Sequence, residues 1–158
     1  MKSSKHTVLF ICLGNICRSP AAEGIFRKCV ETAGMSNLFQ IESAGIGNWH
    51  VGQLPDVRMR RCGERHGYCF DSRARQFTAA DFSRFDYIVV MDDENYREIV
   101  SRATTDTERS HVVKMADYLT SHPGYTSIPD PYYGDESDFE LSIELLEDAI
   151  AGFMSEFV

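Results

Sequence analysis

Thr7-Val8-Leu9-Phe10-Ile11-Cys12-Leu13-Gly14-Asn15-Ile16-Cys17-Arg18-Ser19-Pro20-Ala21-Ala22-Glu23 decides the architecture of this chain. A short apolar run ends in a cysteine, five residues follow, and an arginine opens a helix. The amide N–H groups of so short a loop can converge on one point, and the positive end of the helix dipole faces the same point. Such an element is an anion trap.

Working outward, residues 7–12 read as a buried strand bounded by Gly14-Asn15. Ala22, Ile25, Phe26, Cys29, Val30 and Ala33 recur at helical spacing and stop at Gly34, and residues 39–44 form a second strand closed by Gly45. Strand, helix and strand make a βαβ unit with a right-handed crossover. Residues 45–55, with Trp49 and His50, read as a loop on the same side as Cys12; Pro55 suits a helix start for residues 56–65. Residues 71–85 show no clear period. Residues 87–91 are a third strand, followed by Asp92-Asp93-Glu94 at a helix start, and residues 112–115 a brief fourth. A long loop occupies residues 120–136, and loops of that length usually serve function or are disordered. Phe139, Ile143, Leu146, Ile150, Phe153 and Phe157 mark one face of a closing helix. Alternating strands and helices predict an α/β three-layer sandwich with a parallel sheet.

At 158 residues the chain suits one domain with a full core. A net charge of −8 speaks against nucleic acid or an anionic membrane as partner, so any anion site must be local. Five cysteines without a Cys-x-x-Cys fit reduced thiols in the cytoplasm better than a disulfide framework or a metal site. Lys2 and Lys5 ahead of the apolar run only faintly imitate a leader, since Arg18 follows soon after. No stretch has the roughly 18 apolar residues of a membrane span.

Cys12 lies at the carboxyl end of a strand, where ligands of open α/β sheets sit. A helix N-terminus and a nearby cation lower a cysteine pKa from about 8.5 to about 3.5–7.5, which supplies thiolate at neutral pH. Arg18 offers a planar fork that can hold two phosphoryl oxygens at once. Gly14 and Asn15 suit positive φ and would turn the loop amides inward, while Ser19 can donate to the sulfur. A proton donor for a leaving oxygen is also needed. Asp130, in Asp130-Pro131-Tyr132-Tyr133-Gly134, is the candidate, with Asp92 next in line. Trp49 and Tyr132 can wall an aryl ring.

Taken together, residues 12–19 and 130–134 resemble the low molecular weight protein tyrosine phosphatases. Ser43-Ala44-Gly45, Ala74-Arg75-Gln76, Phe85-Asp86-Tyr87-Ile88 and Met91-Asp92 echo that family in the right order. The resemblance spans the chain and implies a single phosphatase domain over residues 1–158, with a four-stranded parallel sheet in flavodoxin-like order 2-1-3-4. It implies Cys12 as nucleophile, Arg18 as phosphate ligand and Asp130 as general acid and then base. The reaction would be a two-step hydrolysis of phosphotyrosine and small aryl phosphates through phosphocysteine, without metal or cofactor. Leu13, Gly14, Asn15, Ile16, Cys17, Ser19 and Ser43 match phosphate-binding and loop-supporting positions. Trp49, Tyr132 and Tyr133 match pocket walls, and the two tyrosines match ones phosphorylated in some members. Cys17 matches a cysteine able to form a disulfide with the nucleophile. Phosphotyrosine proteins, a tyrosine kinase among them, and phosphate- or vanadate-type anions are the implied partners. Ile16 favours phosphotyrosine over phosphoarginine, because related arginine phosphatases carry Thr there. Glu42 and Ser72 depart from the Asp and His usual in the animal enzymes, so the network buttressing the loop is expected to differ.

Two other readings share the loop. Cys62 and Cys69, seven apart, imitate the extra cysteines of thioredoxin-coupled arsenate reductases, but such enzymes have no use for Asp130-Pro131-Tyr132-Tyr133. A phosphocarrier or redox-sensing module would use Cys12 without turnover and would need no proton donor.

Overall fold

The structure is a computed structural model that describes residues 5–158, so Lys2 of the leader-like pattern lies outside the described residues. Strands β1 (His6–Cys12), β2 (Phe39–Gly45), β3 (Tyr87–Val90) and β4 (Val112–Lys114) form a parallel sheet in the order β2-β1-β3-β4. This is the flavodoxin-like order expected. β1 pairs from His6 with Phe39 to Cys12 with Gly45 on one side, and from Val8 with Tyr87 to Ile11 with Val90 on the other. The strand order reverses beside β1, and its carboxyl end is the switch point of the sheet.

The helices are α1 (Arg18–Thr32), α2 (Val57–Arg65), α3 (Asp81–Arg84), α4 (Asp93–Arg102), α5 (Asp106–Ser110) and α6 (Glu136–Met154). Val8, Phe10 and Cys12 join the core beneath α1, α2 and α6, whereas Leu9 and Ile11 join the opposite core with Phe77, Phe82, Ile88 and Ile99. Both faces of β1 are therefore covered, which is why it reads as a continuous apolar run and not as an alternation.

Local chemistry sets the helix starts. α1 opens at Arg18 with Pro20 at its third position, where a missing N–H costs no intrahelical bond. The carboxylates of Asp56, Asp92 and Asp135 cap α2, α4 and α6, so Asp56 precedes its helix instead of beginning it. α6 stops at Met154, where the Ser155 hydroxyl turns back to the Gly152 carbonyl, so Phe157 lies beyond the helix and not on its face. The Phe157 ring still packs 4.8 Å from His6, bringing the two ends of the described chain together.

The stretch without a clear period is a strap on the end of β2. Gly45 N–H donates to Arg75 O and Phe77 N–H to Gly45 O, each at 2.8 Å. The strap is pinned by Asp81, whose fully buried carboxylate accepts from Arg75, Arg84 and the amide of Thr78.

Candidate active site

β1 delivers Cys12 to the mouth of the loop and α1 begins beneath it. Cys12 Sγ lies 3.0 Å from Ser19 Oγ and accepts from Ser19 N–H at 3.4 Å, so the sulfur satisfies an amide of the first turn of α1 that would otherwise lack a partner. The loop carbonyls of Cys12, Leu13 and Ile16 accept from the amides of Ile46, Gly47 and Asp56. The amides of residues 13–17 donate to no acceptor among the described residues, which leaves them for an oxyanion.

Asn15 makes the loop possible. Its φ is 58°, and among the described residues it has the one non-glycine positive φ. Its Nδ2 donates to Ser19 Oγ at 2.7 Å and Ser43 Oγ at 3.0 Å, and its Oδ1 accepts from Arg75 N–H at 3.0 Å. Ser43 Oγ in turn donates to Glu23 at 2.6 Å, and Arg27 Nε holds the other oxygen of Glu23 at 3.0 Å. A buried relay thus runs Cys12, Ser19, Asn15, Ser43, Glu23, and ends at the exposed Arg27. Gly14 does not share the positive φ expected of it. Its smallness serves packing instead, since a Cβ there would sit 3.1 Å from the His50 ring. Likewise a Cβ on Gly45 would come 3.1 Å from Asn15 N.

Arg18 is 2% exposed and its fork is divided. Nη1 donates to Asp92 Oδ2 at 2.7 Å and to Ile128 O at 2.9 Å, while Nη2 lies 3.6 Å from Asp130 Oδ2 and Nε has no partner among the described residues. One side is bolted to the scaffold, and the Nε–Nη2 edge is left for two oxygens of a ligand. Burial opposes the guanidinium charge, but the negative surroundings of Cys12, Asp130 and Asp92 hold its proton more tightly than usual. Asp92, named as next in line to donate a proton, is committed elsewhere. Its Oδ1 accepts from Asn95 N–H at 2.7 Å and its Oδ2 from Arg18.

The long loop reaches the site because Ile128 N–H donates to Met91 O at 2.8 Å, just past β3. Its other end is anchored by Asp148, which accepts from Thr120, Ser121 and His122. Asp130, solvent-accessible, accepts from Tyr132 N–H at 3.1 Å.

Cys12, Leu13, Gly14, Ile16, Cys17, Arg18, Trp49, His50, Asp130, Tyr132 and Tyr133 line a cavity of about 320 Å³. The walls differ in stiffness. Tyr132 is half-buried with the Arg58 guanidinium 5.4 Å from its ring centroid, whereas Trp49 and Tyr133 are 64% and 94% exposed and stand at the rim. Ser43 acts only through Asn15. Cys17 is buried, and burial together with the negative neighbours Cys12, Asp56 and Asp130 raises its thiol well above the ordinary range. Cys62 and Cys69 do not line the cavity; Cys62 donates to Glu140 between α2 and α6, and Cys69 is exposed.

Sequence reasoning missed Asp92 as the anchor of Arg18, and also Glu23, Arg27, His50 and the Arg75 amide. A buried arginine demands a buried anion, and that rule applied to Arg18 would have singled out Asp92. The two departures from the animal pattern also take shape. Glu42 pairs with Arg75 at 3.3 Å and Arg84 at 3.5 Å on the strap. Ser72 lines a groove of about 330 Å³ beside Glu23, where Arg27 and Lys28 supply positive charge.

Residues 7–158 match the protein-family model described as "Low molecular weight phosphotyrosine protein phosphatase". A Streptomyces coelicolor relative named low molecular weight protein-tyrosine-phosphatase is 40% identical over 151 residues, covering 95% of this chain and 92% of its own. The Homo sapiens low molecular weight phosphotyrosine protein phosphatase is 41% identical over 140 residues, covering 88% and 87%. A crystal structure of protein tyrosine phosphatase from Entamoeba histolytica, with Hepes in the active site, superposes with a TM-score of 0.93 at 40% identity and covers 97% of each chain.

Proposed function

Because the chain belongs to the low molecular weight phosphotyrosine protein phosphatase family, and is by that membership a hydrolase of phosphotyrosine, we propose that Cys12, Arg18 and Asp130 carry its reaction. The observation that carries the assignment is that a buried guanidinium, a cysteine sulfur and an accessible carboxylate share one cavity, with loop amides free to receive oxygens.

In the first step the aryl phosphate enters with its phosphoryl oxygens on the loop amides and the Nε–Nη2 edge of Arg18. The thiolate of Cys12 attacks phosphorus in line. The S–P bond forms, the P–O bond to the ring breaks, and Asp130 gives its proton to the departing phenolate. In the second step the Asp130 carboxylate takes a proton from water, whose oxygen attacks phosphorus. The S–P bond breaks, and the thiolate returns to the hydrogen bond of Ser19. Charge on the equatorial oxygens meets prepositioned donors throughout, which is where most of the rate enhancement arises.

The finer reading has its own supports. A thiolate nucleophile requires a reducing compartment, so the cytoplasm is the proposed location. The exposed aromatics Trp49 and Tyr133 at the rim offer surface to polypeptide around the phosphotyrosine, so tyrosine-phosphorylated proteins, a tyrosine kinase among them, are the proposed substrates. Vanadate-type anions should occupy the loop. An acidic chain suits neither nucleic acid nor an anionic membrane. No helix among the described residues is long and apolar enough to cross a membrane. The continuous family match supports a single phosphatase domain over residues 1–158.

Two variants test the roles. Cys12→Ser should bind phosphate but hydrolyse aryl phosphates at less than about a thousandth of the parent rate. Asp130→Asn should slow phosphotyrosine turnover by about 10² to 10⁴ and turnover of an activated aryl ester far less. Equal losses on both esters would remove Asp130 from the role of proton donor.

A further inference from the structure

Away from the phosphate loop, α2 and α6 bring together three side chains that the reaction does not use. Cys62 lies on α2, and His66, four residues on, caps the carboxyl end of that helix. Glu140, on α6, faces both. Cys62 Sγ, a ring nitrogen of His66 and a carboxylate oxygen of Glu140 all lie within 4.8 Å of one another. Cys62 Sγ is 2.9 Å from Glu140 Oε2, and His66 Nε2 contacts Glu140 Oε1. We propose that Cys62, His66 and Glu140 form a Zn²⁺ site that clamps α2 to α6, separate from catalysis.

The donor set is the first argument. Thiolate, imidazole and carboxylate suit zinc and not the harder Mg²⁺ or Ca²⁺. Zinc bonds of about 2.0–2.3 Å place donors roughly 3.2–3.7 Å apart in a tetrahedron, so Glu140 must draw back from its present contacts while Cys62 and His66, within 4.8 Å of each other, close on the ion. The Glu140 side chain is 38% exposed and has three torsions with which to draw back.

The surroundings are the second argument. The other ring nitrogen, His66 Nδ1, lies 3.6 Å from Glu147 Oε1, and Tyr68 holds Glu147 with a 2.6 Å hydrogen bond. That carboxylate, just beyond hydrogen-bond distance, lies on the side of the ring where the outer-shell partner of a zinc-binding histidine sits. A cavity of about 440 Å³ lined by Arg65, Glu136, Ser137 and Glu140 adjoins the cluster, giving an ion a way in and water a fourth coordination position.

Binding exchanges a proton for the metal: the S–H bond breaks, the Zn–S bond forms, and H⁺ leaves to solvent. Affinity should rise with pH. The other charges facing the cluster are Arg65, paired with Glu136 at 3.4 Å, and Glu147; Cys62 and Glu140 as anions balance the ion.

Cobalt titration of metal-stripped, full-length Cys12→Ser protein tests the site with the reactive thiol removed. One Co²⁺ per chain should bind, with a sulfur-to-cobalt charge-transfer band and tetrahedral d–d bands, and Zn²⁺ should displace it. The near-isosteric Cys62→Ser change in that background should abolish the charge-transfer band. Glu140→Gln, at a half-exposed position that tolerates the change, should weaken binding by about 10- to 100-fold with circular dichroism unaltered. Absence of the thiolate–cobalt signature at saturating cobalt, or its persistence after Cys62→Ser, would overturn the proposal, as would unchanged affinity in Glu140→Gln.

Discussion

Replacing Asp92 by Asn separates the roles of the two carboxylates around Arg18. Asn can still cap α4 through its side-chain oxygen, so the hydrogen bond to Asn95 N–H survives and the helix start is not the variable. What is lost is the charge beside Arg18 Nη1, at 2.7 Å, on a guanidinium 2% exposed. Removing one partner of a fully buried ion pair costs about 3–5 kcal/mol. Asp92 is 26% exposed and Ile128 O still holds Nη1, so water and the carbonyl make up part of the loss. The loss is therefore nearer that of a charge-assisted hydrogen bond, about 1.5–3 kcal/mol. At 1.36 kcal/mol per tenfold, kcat/KM should fall by about 10- to 150-fold. With Arg18 in its proposed role of holding the phosphoryl group and not the leaving group, the fall should be equal for phosphotyrosine and for an activated aryl phosphate, and the inhibition constant of orthophosphate should rise. Steady-state kinetics on both esters, with phosphate inhibition and a urea midpoint for stability, makes the measurement. A loss confined to phosphotyrosine, with phosphate affinity unchanged, would mean that Asp92 donates the proton, and the reasoning from its occupied oxygens would be refuted.

Ser43→Ala should leave the Glu23 carboxylate and Asn15 Nδ2 each short of a partner, costing about 1.5–3 kcal/mol of stability and loosening the loop; an unchanged urea midpoint would show that the relay carries no load. After oxidation of Cys12 by peroxide, closure of a disulfide by Cys17 should accelerate about tenfold per pH unit, since its raised thiol is protonated and only thiolate attacks. A rate independent of pH, read by peptide mapping of quenched samples, would contradict that. For Asp148, burial of its 6%-exposed side chain raises the pKa, but hydrogen bonds from His122, Thr120 and Ser121 outweigh it and bring the carboxyl down to about 2. Its contribution, at most about 2.4 kcal/mol, is complete above the unfolded value near 4 and is lost as pH falls through about 2. The stability gap between parent and Asp148→Asn should accordingly close between about pH 4 and pH 2, and a gap that stays constant would count against the linkage.

How much of this was legible in the sequence depends on where the determining chemistry lies along the chain. β1, the loop and α1 form one continuous segment whose periods and cap signals are local, so strand, turn and helix read correctly from residues 7–34. The sheet order followed from family resemblance more than from pattern. The strap resisted because its stability rests on Asp81 and Arg75, charged residues that look solvent-facing until their pairing across six positions is seen. Asp92 misled for the same reason: an acidic helix start predicts a cap, and it is one, but its second oxygen serves an arginine 74 positions earlier. Asp130 was singled out because an attacking sulfur requires a proton donor for the group it displaces. Its neighbour Ile128, which binds Arg18 through a backbone carbonyl, has no side-chain signature at all.

The packing of Phe157 against His6 has a practical side. Those residues sit at the amino end of β1, and Cys12 sits at the other, roughly 20 Å away at about 3.3 Å per strand residue. A carrier domain or surface tether attached at either end would hang from the rear pole and leave the catalytic mouth open to bulky phosphoproteins. Joining the ends with a short flexible peptide should be equally harmless, which makes the fold a candidate for circular permutation, with new ends cut at the exposed Pro123-Gly124 turn.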